Sequence, residues 1–413
     1  MGAEANGVRT PRASAIRRSG AGVAQQVEQT IRNRQVIGSN PIAGSSFLWP
    51  GLKSPLGGAN YPERIVNASS AKAANGETTP VEAVRPIVVV SRCLDLEACR
   101  YNGQVIPNAF IRRLAAHATL IPICPEVEIG LGVPREPIRL IRCGAEVRAV
   151  QTTGRDVTDR LARFADRFLD ALPEVDGFIL KSRSPSCGIR DAKVFPTMES
   201  EVACGREAGL FARAVLRRFP GLAVEDEGRL NDEAIRERFL TQLFTLARFR
   251  QAAKADSLAA LVHFHTTHKL LLMAQSEKAL REMGRLVANA AHRPLLEVIA
   301  EYRQLLQQAL ERAARRTAIV NVLQHGFGYV SKYLAAREKA FFLQALEKYR
   351  RGQLPASAVI ALLRSWAVRF EVAYLLQQTF FEPFPDDLRE PLDPRSAWER
   401  GVLTTSGRRK ARS

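Results

Sequence analysis

Three cysteines far apart in the chain, Cys93, Cys124 and Cys187, stand where chemistry is most easily done. Cys93 closes the apolar stretch PIVVVSRC, Cys124 lies near the end of TLIPICPE, and Cys187 follows GFILKSRS. Thiolates with no histidine nearby suit a soft metal centre better than a Cys-His nucleophile, and the candidates are zinc and an iron-sulfur cluster. Spacing alone does not choose between them. The neighbours add to the chemistry: Pro125 and Pro185 stiffen the turns, Gly188 permits close backbone approach, Glu126 offers proton transfer, and Ser184 or Ser186 offers a hydroxyl. Plainer roles are open to each, since Glu126 can pair with Arg135 or Arg100 and the serines can cap a turn. Cys99 lies one loop from Cys93 and can join the group. Cys143, in a hairpin, and Cys204, near a helix start, read as buried small hydrophobes or incidental thiols.

The elements that must carry these residues are legible from Val84 onward. Residues 86–93 form an apolar strand, 106–118 an amphipathic helix and 119–126 a second strand, which makes a parallel βαβ unit. PIRLIRCG and EVRAVQTT follow as a hairpin, then a helix over 157–174, a strand over 177–184, a helix over 206–219 and a last short strand, GLAVEDE. A long helix beginning at Asn231 leads out. The expectation is an α/β domain over 85–254, three-layered with a mostly parallel sheet. In such a sheet the functional crevice lies outside the carboxyl ends of the strands, so the three cysteines should converge there.

After Lys254 strand signals stop. Helical periods run over 258–289, 295–317, 319–334, 336–351 and 355–378, punctuated by Pro294, Gly352 and Pro355, so an all-α bundle is expected over 255–389. Residues 1–84, rich in Gly, Ala, Ser, Asn and Pro without a period, read as a disordered extension. Its stretch GVAQQVEQTIRNRQVIGSNPIAGSS resembles the conceptual translation of a transfer-RNA gene, which implies a start codon assigned too far upstream. Residues 390–413 read as a disordered basic tail.

Composition sets the outer bounds. At 413 residues the chain exceeds the roughly 250–300 that one core supports, and 46% hydrophobic residues suffice to fill two. No window offers about 18 uninterrupted apolar residues and no secretory leader is present, so a soluble, cytoplasmic protein without membrane contact is expected. Six cysteines are too few for a disulfide scaffold. Of the net charge of +18, residues 1–84 and 404–413 contribute +4 each, leaving a moderate +10 between them. That basicity suits a nucleic-acid partner without requiring one.

Two features of the bundle bear on function. In HFHTTH only His265 and His268, not His263, share a helical face, and no carboxylate has matching spacing, so a packed or solvent-facing helix start rather than a metal site is expected. The basic clusters Arg312, Arg315, Arg316 and Lys348, Arg350, Arg351 are solvated faces or phosphate contacts. With Tyr329, Lys332 and Tyr333 they offer a mixed aromatic and cationic surface for folded RNA.

The segments SRCLDLEACRYNG (91–103), CPEVEIGLGVPREPIRL (124–140) and KSRSPSCG (181–188) resemble, in order and spacing, the three signatures of the thiouracil desulfidase family. HKLLLMAQS (268–276), the segment over 321–355 and YLLQQTFFEPFP (374–385) resemble the YbgA-type helical domain. The fusion resembles two-domain desulfidases of 4-thiouridine in tRNA. The resemblance implies a 4Fe-4S cluster on Cys93, Cys124 and Cys187 with one iron open to sulfur. It also implies a catalytic pair, Glu126 with Ser184 or Ser186. Leu96 departs from the family's commoner glycine, and Cys99 is a bystander. The expectation is a hydrolytic, non-redox desulfidase of a thiolated uracil, with tRNA presented by the bundle. The alternatives are a desulfidase of free thiouracil or a thiolated nucleotide, and a non-catalytic RNA-binding or redox-sensing protein whose cluster takes Cys99 as a fourth ligand.

Overall fold

In the computed structural model, which describes residues 84–389, the β-branched run from Ile87 makes β1 (Ile87–Ser91), a strand covered on both faces. A continuous apolar run is what a parallel strand between helical layers requires. Asn108 caps the next helix by accepting the Ile111 N–H at 3.0 Å, and α1 (Ala109–His117) returns the chain to β2 (Thr119–Ile123), parallel to β1. The short α2 (Pro125–Glu128) follows at once. Next come the expected antiparallel hairpin of β3 (Ile138–Cys143) and β4 (Glu146–Gln151), then α3 (Thr158–Ala171) and β5 (Gly177–Leu180). The α/β region ends with β6 (Ala192–Phe195), β7 (Gly205–Glu207), α4 (Leu210–Arg218) and β8 (Ala223–Asp226).

These strands form two sheets. One, in the order β2-β1-β5-β8, is parallel throughout; the other, β4-β3-β6-β7, is mixed. Strands β6 and β7 have no counterpart in the sequence reading, being too short to show a period. The helix expected from residue 206 starts at Leu210, because Gly205–Glu207 is taken up by antiparallel pairing with β6. Cys204 therefore leads into a strand, its N–H on the Val194 carbonyl at 2.8 Å, and both it and Cys143 are exposed rather than buried.

Helix α5 (Glu233–Lys254) is buried on two sides. Phe239, Leu240, Leu243 and Phe244 pack with Val88, Val90 and Ile179 of the parallel sheet, whereas Leu246 and Phe249 enter a second core with Leu261, Met283 and Tyr302. That core is built from α6 (Leu258–Thr267), α7 (Lys269–Gln275), α8 (Glu277–Ala288) and α9 (Leu295–Leu310). A third core joins α10 (Arg316–Val330), α11 (Ala336–Arg350), α12 (Ala356–Arg369) and α13 (Ala373–Leu376). Phe384 and Leu388 then bring the chain back to the sheet core. The division expected at Lys254 thus falls at the end of an element that serves both regions. The expected extension and tail lie outside the described residues. Among the described residues no helix is long and apolar enough to cross a membrane.

The parallel sheet is tied to α5 by a buried ion pair. Asp176, 2% exposed, takes the Arg250 guanidinium at 2.9 Å and the Ile87 N–H at 2.7 Å. Arg250→Ala would strand this carboxylate inside the fold, so a loss of roughly 3 kcal/mol is expected in chemical denaturation. A loss under about 1 kcal/mol, the scale of an exposed pair, would contradict it.

Candidate metal centre

Strands β2, β1 and β5 are neighbours and run in parallel, so the loops leaving their carboxyl ends meet. Cys93 follows β1 by two residues, Cys124 follows β2 directly, and Cys187 lies in the loop after β5. Each loop is held by its own devices. In the first, Asp95 takes the left-handed conformation (φ 64) and its carboxylate accepts the Asn108 N–H at 3.0 Å. Leu96, the departure from the family pattern, is accommodated at 41% exposure. In the second, Cys124 immediately precedes α2, with Pro125 at its first position.

The Cys187 loop is the most constrained. The Ser184 hydroxyl accepts the backbone N–H groups of Ser186 and Cys187 at 3.2 and 3.0 Å. The otherwise unpaired N–H groups at the start of α4 donate to loop carbonyls, Leu210 to Pro185 at 3.1 Å and Ala212 to Ser186 at 3.0 Å. Two glycines make the approach possible: a Cβ on Gly188 would lie 2.8 Å from the Ser184 carbonyl oxygen, and one on Gly209 would lie 2.6 Å from that of Pro185. The close approach expected at Gly188 is therefore real.

Glu126, on α2, is bound from two sides. The Ser186 hydroxyl, fully buried, donates to Oε1 at 2.9 Å, and Arg135 Nε donates to Oε2 at 2.8 Å. Of the two candidate serines, Ser186 touches the carboxylate and Ser184 braces Cys187. Arg135, whose side chain is 4% exposed, is the hub. Besides Glu126 it donates to the Cys99 carbonyl at 2.9 Å and approaches the Cys124 sulfur at 3.9 Å. The Glu126–Arg135 ion pair considered from sequence is thus formed together with the serine contact. Two further residues belong to the site: Ser91, which sequence reasoning passed over, and Cys99, which it left as a bystander able to join the group. Ser91, the buried last residue of β1, accepts the Lys181 N–H at 2.9 Å. Cys99 is fully buried, and its backbone carbonyl lies 3.7 Å from the Cys124 sulfur.

The thiols resist ionising alone. A hydrogen bond from Cys99 and burial both push Cys124 up, and burial pushes Cys187 up. The Cys124 hydrogen bond pulls Cys99 down, but contact with Cys93 and burial outweigh it and bring it up to about 12. Buried thiols packed together become thiolates readily only beside positive charge, which a bound metal centre supplies. Among the described residues no group of three or more His, Cys, Asp or Glu side chains is arranged to hold a metal ion. Cysteines of an iron-sulfur cluster bind separate irons and are spread around it rather than aimed at one point. Buried cysteines on three separate loops fit that demand.

In the helical region His268 is buried, stacked on Phe264 at 3.9 Å with Nδ1 on the Phe264 carbonyl, and burial lowers it to about 3. His265 contacts the Tyr302 hydroxyl at 3.1 Å and is lowered by burial to about 4. Burial keeps both neutral, so of the two readings open from sequence the structure takes the packed one. Arg312, Arg315 and Arg316 are exposed at the start of α10. Arg316 lies over the Tyr349 ring at 5.9 Å in an open cavity of about 600 Å³ that Gly352 and Pro355 also line. Arg350 and Arg351 both close on Glu347 and hold its carboxyl down to about 2, which leaves Lys348 unaccompanied by that carboxylate. Lys332 lies over Tyr333, which stacks on Phe370 at 5.1 Å.

The sequence profile of 2-thiouracil desulfurase matches residues 88–227, and that of DUF1722, a protein of unknown function, matches residues 269–385. Uncharacterized protein YbbK of Bacillus subtilis is 34% identical over 110 residues, 25% of this chain and 73% of the relative. Uncharacterized protein YbgA of Escherichia coli is 28% identical over 127 residues, 30% of this chain and 75% of the relative. A solved structure described as the [4Fe-4S]-dependent thiouracil desulfidase TudS is 31% identical, with a TM-score of 0.29, covering 35% of this chain and 93% of its own. The chain belongs to the 2-thiouracil desulfurase family through its α/β region.

Proposed function

We propose that this protein is a cytoplasmic, 4Fe-4S-dependent desulfidase that replaces the sulfur of a thiolated uracil by oxygen, with 4-thiouridine in tRNA as substrate. The observation that supports the reading is that Cys93, Cys124 and Cys187 lie in loops leaving the carboxyl ends of three adjacent parallel strands, with the Ser186–Glu126 hydrogen bond joining two of those loops. Family membership supports it. The three cysteines would hold the cluster. Such a cluster supplies a soft Lewis-acidic iron that favours sulfur over oxygen and polarises a C=S bond.

The remaining groups act on water. Glu126 takes a proton from the attacking water, because a carboxylate that accepts one bond at each oxygen still has lone pairs free. Ser186 and Arg135 fix the carboxylate plane, and Ser184 fixes Cys187. Oxygen from water ends on the ring carbon and sulfur leaves as sulfide, so no net electron transfer is needed.

The helical region would present the RNA. Tyr333 with Lys332, and Arg316 over Tyr349, combine stacking surface with positive charge. Neutralising Arg312, Arg315 and Arg316 together is expected to weaken tRNA binding and to lower its salt dependence by about one slope unit per lost phosphate contact. Neutralising Lys348, Arg350 and Arg351 should do less, since Glu347 already occupies two of them. Free 2-thiouracil should turn over normally in both variants.

The decisive experiment is anaerobic purification with iron and acid-labile sulfide analysis, followed by nucleoside analysis of tRNA incubated with the protein. Loss of 4-thiouridine with gain of uridine is the expected result. Turnover of free thiouracil with intact tRNA untouched would assign the small substrate instead.

A further inference from the structure

The turn after Cys99 carries an aromatic ring outside the set of residues assigned to the chemistry. Arg100, Tyr101, Asn102 and Gly103 close on themselves: the Gly103 N–H donates to the Arg100 carbonyl at 2.9 Å, with Gly103 in the left-handed conformation (φ 72). Asn102 braces the turn, its amide donating to Gln104 Oε1 at 2.8 Å. The Tyr101 carbonyl accepts the Arg135 N–H at 2.8 Å, and Arg135 Nη1 donates to the Cys99 carbonyl at 2.9 Å. The residue that fixes the Glu126 carboxylate therefore fixes this turn as well. Although its backbone is so held, Tyr101 is 43% exposed, and the Arg100 guanidinium lies over its ring at 5.5 Å. A Cβ on Gly103 would lie 3.9 Å from Val133 Cγ1, so the turn and the loop after α2 touch. Leu96, Tyr101, Val105 and Val133 are all exposed on these two loops, whereas the rest of the α/β region exposes Val202 and Leu216 alone among its described large apolar side chains. Apolar side chains scattered singly need no explanation, but their concentration beside a polar centre marks a surface that a ligand covers.

Resting on the function proposed above, we propose that Tyr101 is the platform on which the thiolated pyrimidine ring stacks. A pyrimidine has two flat faces and a polar edge, and an exposed tyrosine ring on a closed, pinned turn matches one face at little cost in ordering. The cation–π contact with Arg100 restrains the ring further. The reaction gives such a platform a second use. Water adds to the C=S carbon along the normal to the ring plane, so one face has to be held while the other stays open to Glu126 and its water. Tyr101 covers the first face. Stacking acts on the base itself and serves a free base and a nucleotide of tRNA alike, whereas the basic surface of the helical region acts on phosphates and serves only the second.

The test compares anaerobically prepared wild type, Tyr101→Ala and Tyr101→Phe for iron content and for turnover of free 2-thiouracil and of 4-thiouridine in tRNA. Iron should be the same in all three. In Tyr101→Ala, KM is expected to rise about 5- to 150-fold on both substrates, the usual worth of one base–aromatic stack, whereas Tyr101→Phe keeps the ring and should stay within about twofold of wild type. Equilibrium dialysis against the product uracil gives a reading without turnover, and Tyr101→Ala should bind it correspondingly more weakly. An unchanged KM for 2-thiouracil in iron-replete Tyr101→Ala would overturn the proposal and leave the desulfidase reading intact. An equal loss in Tyr101→Phe would overturn it too, by giving the role to the hydroxyl. Loss of iron from Tyr101→Ala would make Tyr101 a brace of the cysteine loop and likewise overturn it. Failure of the wild type to desulfurate either substrate would remove both readings.

Discussion

Replacing Cys93, Cys124 or Cys187 by serine, one at a time, is expected to abolish the brown iron-sulfur absorbance and the iron and sulfide content of anaerobically prepared protein. A serine hydroxyl is nearly isosteric but hard, and it does not ionise at neutral pH, so it cannot stand in for a thiolate in a soft centre. The loss should be near complete because each cysteine is the only one its strand end contributes at that position. Cys143→Ser and Cys204→Ser serve as controls, since both residues are exposed and belong to the mixed sheet. Each should retain full iron. Stoichiometric zinc without iron after anaerobic preparation would remove the cluster from the reading. Because bound metal stabilises only the folded form, the three ligand variants should also melt earlier than the controls.

The second large effect is expected at Glu126. Glu126→Gln keeps the shape of the side chain and can still accept from Arg135 through its amide oxygen, but it cannot take a proton from water. Turnover should fall by roughly 100- to 10,000-fold, the usual worth of a positioned general base, with iron content and tRNA binding unchanged. Ser186→Ala should show a smaller loss in turnover with the cluster retained, because it frees one carboxylate oxygen without removing the carboxylate. Ser184→Ala should act on the cluster itself, since its hydroxyl holds the Cys187 backbone. If Glu126→Gln turns over like wild type, the proton acceptor lies elsewhere, and the Glu126–Arg135 contact is an ion pair of the fold alone.

The strand ends and their cysteines were legible because apolar runs bounded by helices specify a parallel sheet, and a parallel sheet places its carboxyl ends on one edge. Periodicity likewise marked the bundle as helical, but it ran α6, α7 and α8 together over 258–289 and α12 and α13 over 355–378, because short breaks do not disturb a helical period. It could not find β6 and β7, whose four and three residues are strands only because β3 and β6 offer them partners. Nor could it assign the serines. Ser184 and Ser186 are two positions apart in one motif, and the hairpin-like turn of that loop directs Ser186 to the carboxylate and Ser184 to the backbone. The capture of Arg350 and Arg351 by Glu347 follows from three- and four-residue helical spacing, and it was not anticipated.

By itself the amino-acid sequence determined the α/β and helical regions, the three cysteines that leave adjacent strands, and the family through motifs at matching spacing. These depend on local pattern and order along the chain. Only the tertiary structure decided what lies between the cysteines. It brings the Cys99 carbonyl to 3.7 Å from the Cys124 sulfur, and makes Arg135 the link between the cysteine loop and Glu126. Those contacts join loops whose positions are set by strand pairing and by the packing of α4 beneath the Cys187 loop. No local propensity encodes a distance across a sheet edge.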